Sequence, residues 1–171
     1  MIPVEAALAK ILTALTPLGA EEVSVEAALG RVLAEDVAAR VTQPPKPVSA
    51  MDGYAVKAAD VAIVPATLTV IGEAPAGRGF QGMVESGQAV RIFTGAPLPR
   101  GADAIVIQED TERDGDAVIV KEAATAGRHV RRAGLDFRTG DSGIPAGQRL
   151  SPADIALAAA MNLATLNVCK R

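Results

Sequence analysis

Gln43-Pro44-Pro45-Lys46-Pro47-Val48-Ser49-Ala50-Met51-Asp52-Gly53-Tyr54-Ala55-Val56 is the stretch on which the fold turns. Its prolines lack the N–H that a helix needs, and each bars the residue before it from helical backbone. The segment therefore reads as polyproline-like and extended, and it marks a domain boundary. Upstream, Val4, Leu8, Ile11, Leu12 and Leu15 recur at three- and four-residue steps, predicting an amphipathic helix from Pro3 to Leu18 that Pro17 and Gly19 end. Ser24 is placed to cap a second short helix over Val25–Leu29, closed by Gly30, and residues 31–37 turn extended. Downstream the period falls to two. Leu68-Thr69-Val70-Ile71, Ala89-Val90-Arg91-Ile92-Phe93 and Ala104-Ile105-Val106-Ile107 are short β-branched runs between glycines and prolines, which predicts strands. Asp114-Gly115 suggests a hairpin joining Ile105–Ile107 to Val118–Val120.

Helical signals return late. Ser151 is an N-cap, Pro152 a first helical residue and Asp154 a first-turn carboxylate, opening a helix through Ile155, Leu157 and Met161 that Asn162 closes. Residues 163–168 are extended again. The expected class is α+β: a β-rich domain over 47–139, inserted into a helix-containing domain formed by both chain termini, 1–46 and 140–171.

The 171 residues are enough to bury a core. Hydrophobic residues are 49% of the chain but aromatics only 2%, so that core is built from Val, Ile, Leu and Ala. Seventeen basic against twenty acidic side chains leave a net charge of −3, which argues against general nucleic-acid or acidic-membrane binding. One cysteine and one histidine exclude an internal disulfide and a His/Cys zinc cage. No run of eighteen apolar residues and no leader-like N-terminus occur, so a cytoplasmic location is expected.

Several side chains are candidates for chemistry. Asp52 follows the proline segment on a turn, beside Gly53, which would permit positive φ and close approach of a ligand; a plain Asp-Gly turn is the alternative. Thr94-Gly95 ends a strand in a Gly/Pro corner whose hydroxyl and backbone N–H groups suit an oxyanion, or is simply a bent strand end. Arg128, His129, Arg131 and Arg132 form a cationic cluster before Asp136, fit for phosphate or for a solvated hairpin face. Asp60, Glu109 and Asp110 are weaker candidates for a hard cation, and Cys169 reads as a strand residue.

Three ordered motifs carry a resemblance: Pro47-Val48-Ser49-Ala50-Met51-Asp52-Gly53-Tyr54-Ala55-Val56; Arg91-Ile92-Phe93-Thr94-Gly95-Ala96-Pro97-Leu98-Pro99 with its continuation to Ala104; and Gln108-Glu109-Asp110. Together they resemble the N-terminal half of the molybdopterin molybdenumtransferase family, which includes the bacterial molybdenum insertases and the E domain of gephyrin. The resemblance implies a homodimeric, multidomain enzyme that moves molybdenum from molybdate to adenylylated molybdopterin, releasing AMP with a divalent cation such as Mg2+. By matching position it implies Asp52, Thr94 and Asp136 as catalytic residues, Gly53, Gly95, Arg131 and Arg132 as substrate-binding, and Asp52 and Asp136 as metal ligands. Leu135 stands where many members carry glutamate, so nothing supports a carboxylate there. Family members continue into a C-terminal pterin-binding domain, so this chain is expected to be an N-terminal portion, inactive alone, that supplies one wall of a composite site. The rival readings are a noncatalytic oligomerisation or scaffold module and a small phosphate-ligand binding domain.

Overall fold

A computed structural model describes residues 2–16 and 18–171. In chain order, α1 (Val4–Thr13), β1 (Ala20–Ser24) and β2 (Val37–Ala38) come first. Then follow β3 (Val48–Ser49), β4 (Gly53–Val56), β5 (Ala66–Ala74), β6 (Gln88–Ile92), β7 (Ala104–Ile107), β8 (Thr111–Asp114), β9 (Ala117–Val120) and β10 (Val130–Arg131). β11 (Ser142–Ile144), α2 (Pro152–Ala160) and β12 (Thr165–Cys169) close the chain, making the class mixed α+β. It divides into two compact units, one of Met1–Val41 with Arg138–Arg171, the other of Thr42–Phe137.

The terminal unit is held by two antiparallel pairs, β1 with β12 and β2 with β11. Leu33, Ile144, Leu150, Ala158, Leu166 and Val168 are buried in it. Its α2 starts as the sequence predicts. Ser151 Oγ accepts from the Asp154 N–H at 3.3 Å and Asp154 Oδ2 accepts from the Ser151 N–H at 2.8 Å, a reciprocal cap with Pro152 in the first turn. Asn162 ends the helix at φ 64°. The expected helix over Val25–Leu29 is a single 3-10 turn, Glu26–Ala28, with the Ala27 N–H donating to Ser24 Oγ. α1 is shorter than its periodicity suggests, and none of its side chains is buried: Val4 is 79% exposed and Ile11 60%. Pro17, expected to end it, lies outside the described residues.

The β-rich unit is a six-stranded sheet in the order β7-β4-β6-β5-β9-β8, antiparallel except between β5 and β6. Both faces are covered by protein, which is why β4 is buried along its whole length. Tyr54, Val56, Leu68, Val106, Val118 and Val120 pack on one side, while Ala55, Val84, Val90, Ile92 and Ile105 pack on the other. The expected hairpin needs correcting. Gly115, at φ 56°, joins β8 to β9, whereas Ile105–Ile107 belong to β7 and pair with β4. A 3-10 turn at Gln108–Asp110 separates β7 from β8, and β8 is a polar edge strand, Thr111-Glu112-Arg113-Asp114, with no apolar alternation to announce it. Beside this sheet, β3 and β10 make a short ribbon with Arg131 opposite Val48.

Candidate functional site

The candidate site lies in the β-rich unit, where three chain segments are tied edge to edge. Ser49, buried on β3, is the knot. Its N–H donates to the Ala96 carbonyl and its carbonyl accepts from the Gly95 N–H, both at 2.9 Å. The Ser49 hydroxyl meanwhile donates to the Met51 carbonyl at 2.5 Å and accepts from the Met51 N–H at 3.2 Å, shaping the turn that presents Asp52. The turn before β4 and the corner after β6 are thereby fixed side by side.

Asp52 and Thr94 meet directly. Asp52 Oδ1 accepts from the Thr94 N–H and from the Thr94 hydroxyl, each at 2.7 Å. The backbone donor is the leading reason that the Asp52 carboxyl sits below the usual aspartate range; the Thr94 hydroxyl and the Arg91 charge act in the same direction, against partial desolvation. Asp52 Oδ2 takes no hydrogen bond from the described residues, which leaves one oxygen of an ionised carboxylate open. The corner is not an N–H nest for an anion, as the sequence had suggested. The N–H groups of Thr94, Gly95 and Ala96 are engaged by Asp52 Oδ1, the Ser49 carbonyl and the Phe93 carbonyl.

Gly53 also serves a different purpose from the one expected. Its φ is not positive, and a Cβ built on it would stand 2.0 Å from the Val106 carbonyl oxygen. Glycine is required because β7 runs that close. Gly95 is the opposite case, with φ 81° and nothing within 4 Å of an added Cβ.

Asp136 pairs with Arg131: Arg131 Nη2 donates to Oδ1 at 2.8 Å and to Oδ2 at 3.0 Å. Arg131 and Gly95 line one groove of about 350 Å³, together with Lys46 and Pro97. Arg132 is exposed, and its guanidinium makes no contact with a protein acceptor among the described residues. Arg128 is drawn elsewhere, donating to Glu122 Oε1 at 2.5 Å and to the Ala123 carbonyl at 2.7 Å. That pair lowers the Glu122 carboxyl, whereas the Asp110 carboxyl is raised by desolvation and by the neighbouring Glu122. Asp60 accepts from Ser86 and from the Gly87 N–H and so serves as a loop clamp. His129 offers its backbone carbonyl to the Ala50 N–H.

Arg91, not singled out from the sequence, organises the approach to Asp52. Its guanidinium lies over the Tyr54 and Phe93 rings, 5.2 and 5.1 Å from their centroids. From there it donates to the Gly53 carbonyl at 3.2 Å and to Gln108 Oε1 at 2.5 Å, while the Gln108 N–H returns to the Asp52 carbonyl. A lone arginine within the apolar run Ala89-Val90-Arg91-Ile92-Phe93 was the available signal.

No group of three or more His, Cys, Asp or Glu side chains is arranged to hold a metal among the described residues. Mg2+ commonly takes one or two carboxylates, with water and substrate phosphate filling its octahedron. Asp52 Oδ2 fits that role; Asp136 fits it only if Arg131 lets go.

A family profile described as the MoeA N-terminal region (domain I and II) matches residues 2–162. Molybdopterin molybdenumtransferase 2 of Mycobacterium tuberculosis is 40% identical over 168 residues, covering 96% of this chain and 41% of that protein. The molybdopterin molybdenumtransferase of Nostoc sp. is 38% identical over 155 residues, covering 88% and 36%. Among solved structures, the molybdopterin biosynthesis moeA protein of Pyrococcus horikoshii superposes with a TM-score of 0.91 at 34% identity, covering 98% of this chain and 46% of that one. The chain thus spans about 41% of the length of the first of these relatives.

Proposed function

We propose, for a chain that belongs to the molybdopterin molybdenumtransferase family and corresponds to its N-terminal region, that the β-rich unit supplies one wall of a composite site transferring molybdenum from molybdate to adenylylated molybdopterin. The observation that carries this reading is the Asp52–Thr94 pair, joined through Oδ1 and leaving Oδ2 open at a fixed corner. Thr94 holds the carboxylate ionised and aimed; Oδ2 is then free to hold a divalent cation. Mg2+ bound there would neutralise charge on a phosphoanhydride.

The roles of the other side chains follow from charge. Molybdate is an oxyanion, and with the corner N–H groups engaged, Arg131 and Arg132 are the donors left to meet it. An arriving oxyanion competes with Asp136 for Arg131. Asp136 is then released as the second carboxylate of the cation site. The remaining length of the relatives would bring the pterin-holding wall, and in a homodimer that wall comes from the partner subunit. The uncovered apolar side of α1, from Val4 to Ile11, is surface that such an assembly would bury.

That same stripe favours a second reading, in which the chain is an oligomerisation module without catalysis. The readings divide on turnover. Metal insertion assayed with residues 1–171 alone is expected to be undetectable and to appear when the remainder of a full-length relative is supplied. Insertion by residues 1–171 unaided would contradict the composite site, and failure of any reconstituted mixture that does assemble would favour the noncatalytic module.

A further inference from the structure

Behind the Asp52 corner sits a cation that no carboxylate neutralises. Arg91 makes no ion pair among the described residues, and of the chain's one tyrosine and three phenylalanines, Tyr54 and Phe93 both lie against it. Tyr54 stands opposite Arg91 in the antiparallel register of β4 and β6, and Phe93 follows Arg91 by two residues. From between these rings the guanidinium fork reaches two segments, Nη1 donating to the Gly53 carbonyl and Nη2 to Gln108 Oε1. Gln108 is held in turn. Its Nε2 donates to Glu109 Oε1 at 3.3 Å and its N–H donates to the Asp52 carbonyl at 3.1 Å. The carbonyls of Asp52 and Gly53, consecutive along the chain, are thus gripped by one connected pair of side chains.

Both ends of the Asp52–Thr94 bond depend on this grip. Asp52 immediately precedes β4 and Thr94 follows the end of β6, so the offset between those strands decides whether the Thr94 N–H meets Oδ1. The ladder itself stops short of the corner, its last pair being Gly53 with Ile92. Arg91 supplies the tie beyond it, from β6 to β4 and to the turn after β7. Gln108 opens the third ordered motif, Gln108-Glu109-Asp110, which the Asp52–Thr94 pair alone leaves without a task. A lysine would keep the charge of Arg91 but not its planar fork. We infer that Arg91 and Gln108 act as one positioning unit for the Asp52 carboxylate, Arg91 setting β4 against β6 and Gln108 anchoring Arg91.

The catalytic consequence rests on the reading of Asp52 as part of the transfer site; the positioning itself does not. The test is amide hydrogen exchange in the 171-residue chain, followed by NMR at Thr94, whose N–H donates to Asp52 Oδ1. Arg91→Lys and Gln108→Met are each expected to speed exchange there about tenfold, with the amides of the β5–β9 pairing unchanged. The two substitutions together should match Arg91→Lys alone, because parts of one unit do not add. Arg113→Gln, on the β8 edge of the sheet, should leave Thr94 at the parent rate. Each variant's amide spectrum reports whether it has folded, and Gln108, being exposed, is replaceable even if Arg91 is not. A folded variant of either residue that exchanges Thr94 at the parent rate would overturn the inference, as would effects that add in full. In a full-length protein carrying this chain, both variants should lower kcat for molybdenum insertion about tenfold and leave KM for molybdate unchanged. Faster Thr94 exchange with insertion at the full rate would uphold the positioning unit and count against the transfer reading. Slowed insertion with Thr94 unmoved would overturn the positioning unit and leave the transfer reading standing.

Discussion

A methyl group added at Gly53 would sit 2.0 Å from the Val106 carbonyl oxygen, against backbone that has no room to move without parting β4 from β7. Gly53→Ala is therefore expected to cost roughly 3 kcal/mol in urea unfolding. Gly95→Ala meets open space and only the strain of its positive φ, about 1 kcal/mol. Equal losses would contradict this account of the two glycines. Asp52 makes a second residue-scale prediction. Its folded carboxyl binds a proton less readily than the unfolded chain does, so the Thr94 bonds contribute stability above the ordinary aspartate range and lose it as pH falls through the lowered value. A carboxyl NMR titration should place Asp52 below the ordinary aspartate midpoint, and Thr94→Val should bring it only part of the way back, because the backbone donor stays. A midpoint at or above the ordinary value would refute the Thr94 assignment. The sequence announced Asp52 and Thr94 as polar groups at strand corners. It could not show that they bond to each other, 42 positions apart, nor that Gly53 answers to a strand pairing fixed fifty residues later.

Elements were legible where their signals are local. The α2 cap is complete within four residues, Ser151 to Asp154, and the structure forms both of its hydrogen bonds. Ser151→Ala is expected to cost about 1 kcal/mol and to lower the melting temperature by about 3 °C; an unchanged melting curve would show that the helix is held from elsewhere. The strands of the sheet interior were legible from β-branched runs bounded by glycine and proline. β8 was not, since an edge strand with exposed Glu112, Arg113 and Asp114 has no buried face to leave a period in the sequence. α1 shows the converse. Its 3.6-residue period is genuine and predicts the helix, but periodicity says only that one face is apolar, not that anything within this chain covers it.

At the scale of the whole molecule, family membership was readable because the motifs are short and ordered along the chain. The groove beside the Asp52 corner was not, because Lys46, Gly77, Pro97 and Arg131 come from separate segments that only the folded unit gathers. No helix among the described residues is long and apolar enough to cross a membrane. We propose that the Asp52 carboxylate, oriented by Thr94, belongs to the reacting wall of a metal-transfer site. Asp52→Asn tests it most directly in a full-length protein carrying this chain, since asparagine keeps an oxygen for the Thr94 donors and removes only the charge. With folding verified by its amide or circular dichroism spectrum, the variant is expected to lose molybdenum insertion by about a hundredfold or more. Insertion at the unsubstituted rate would contradict the account.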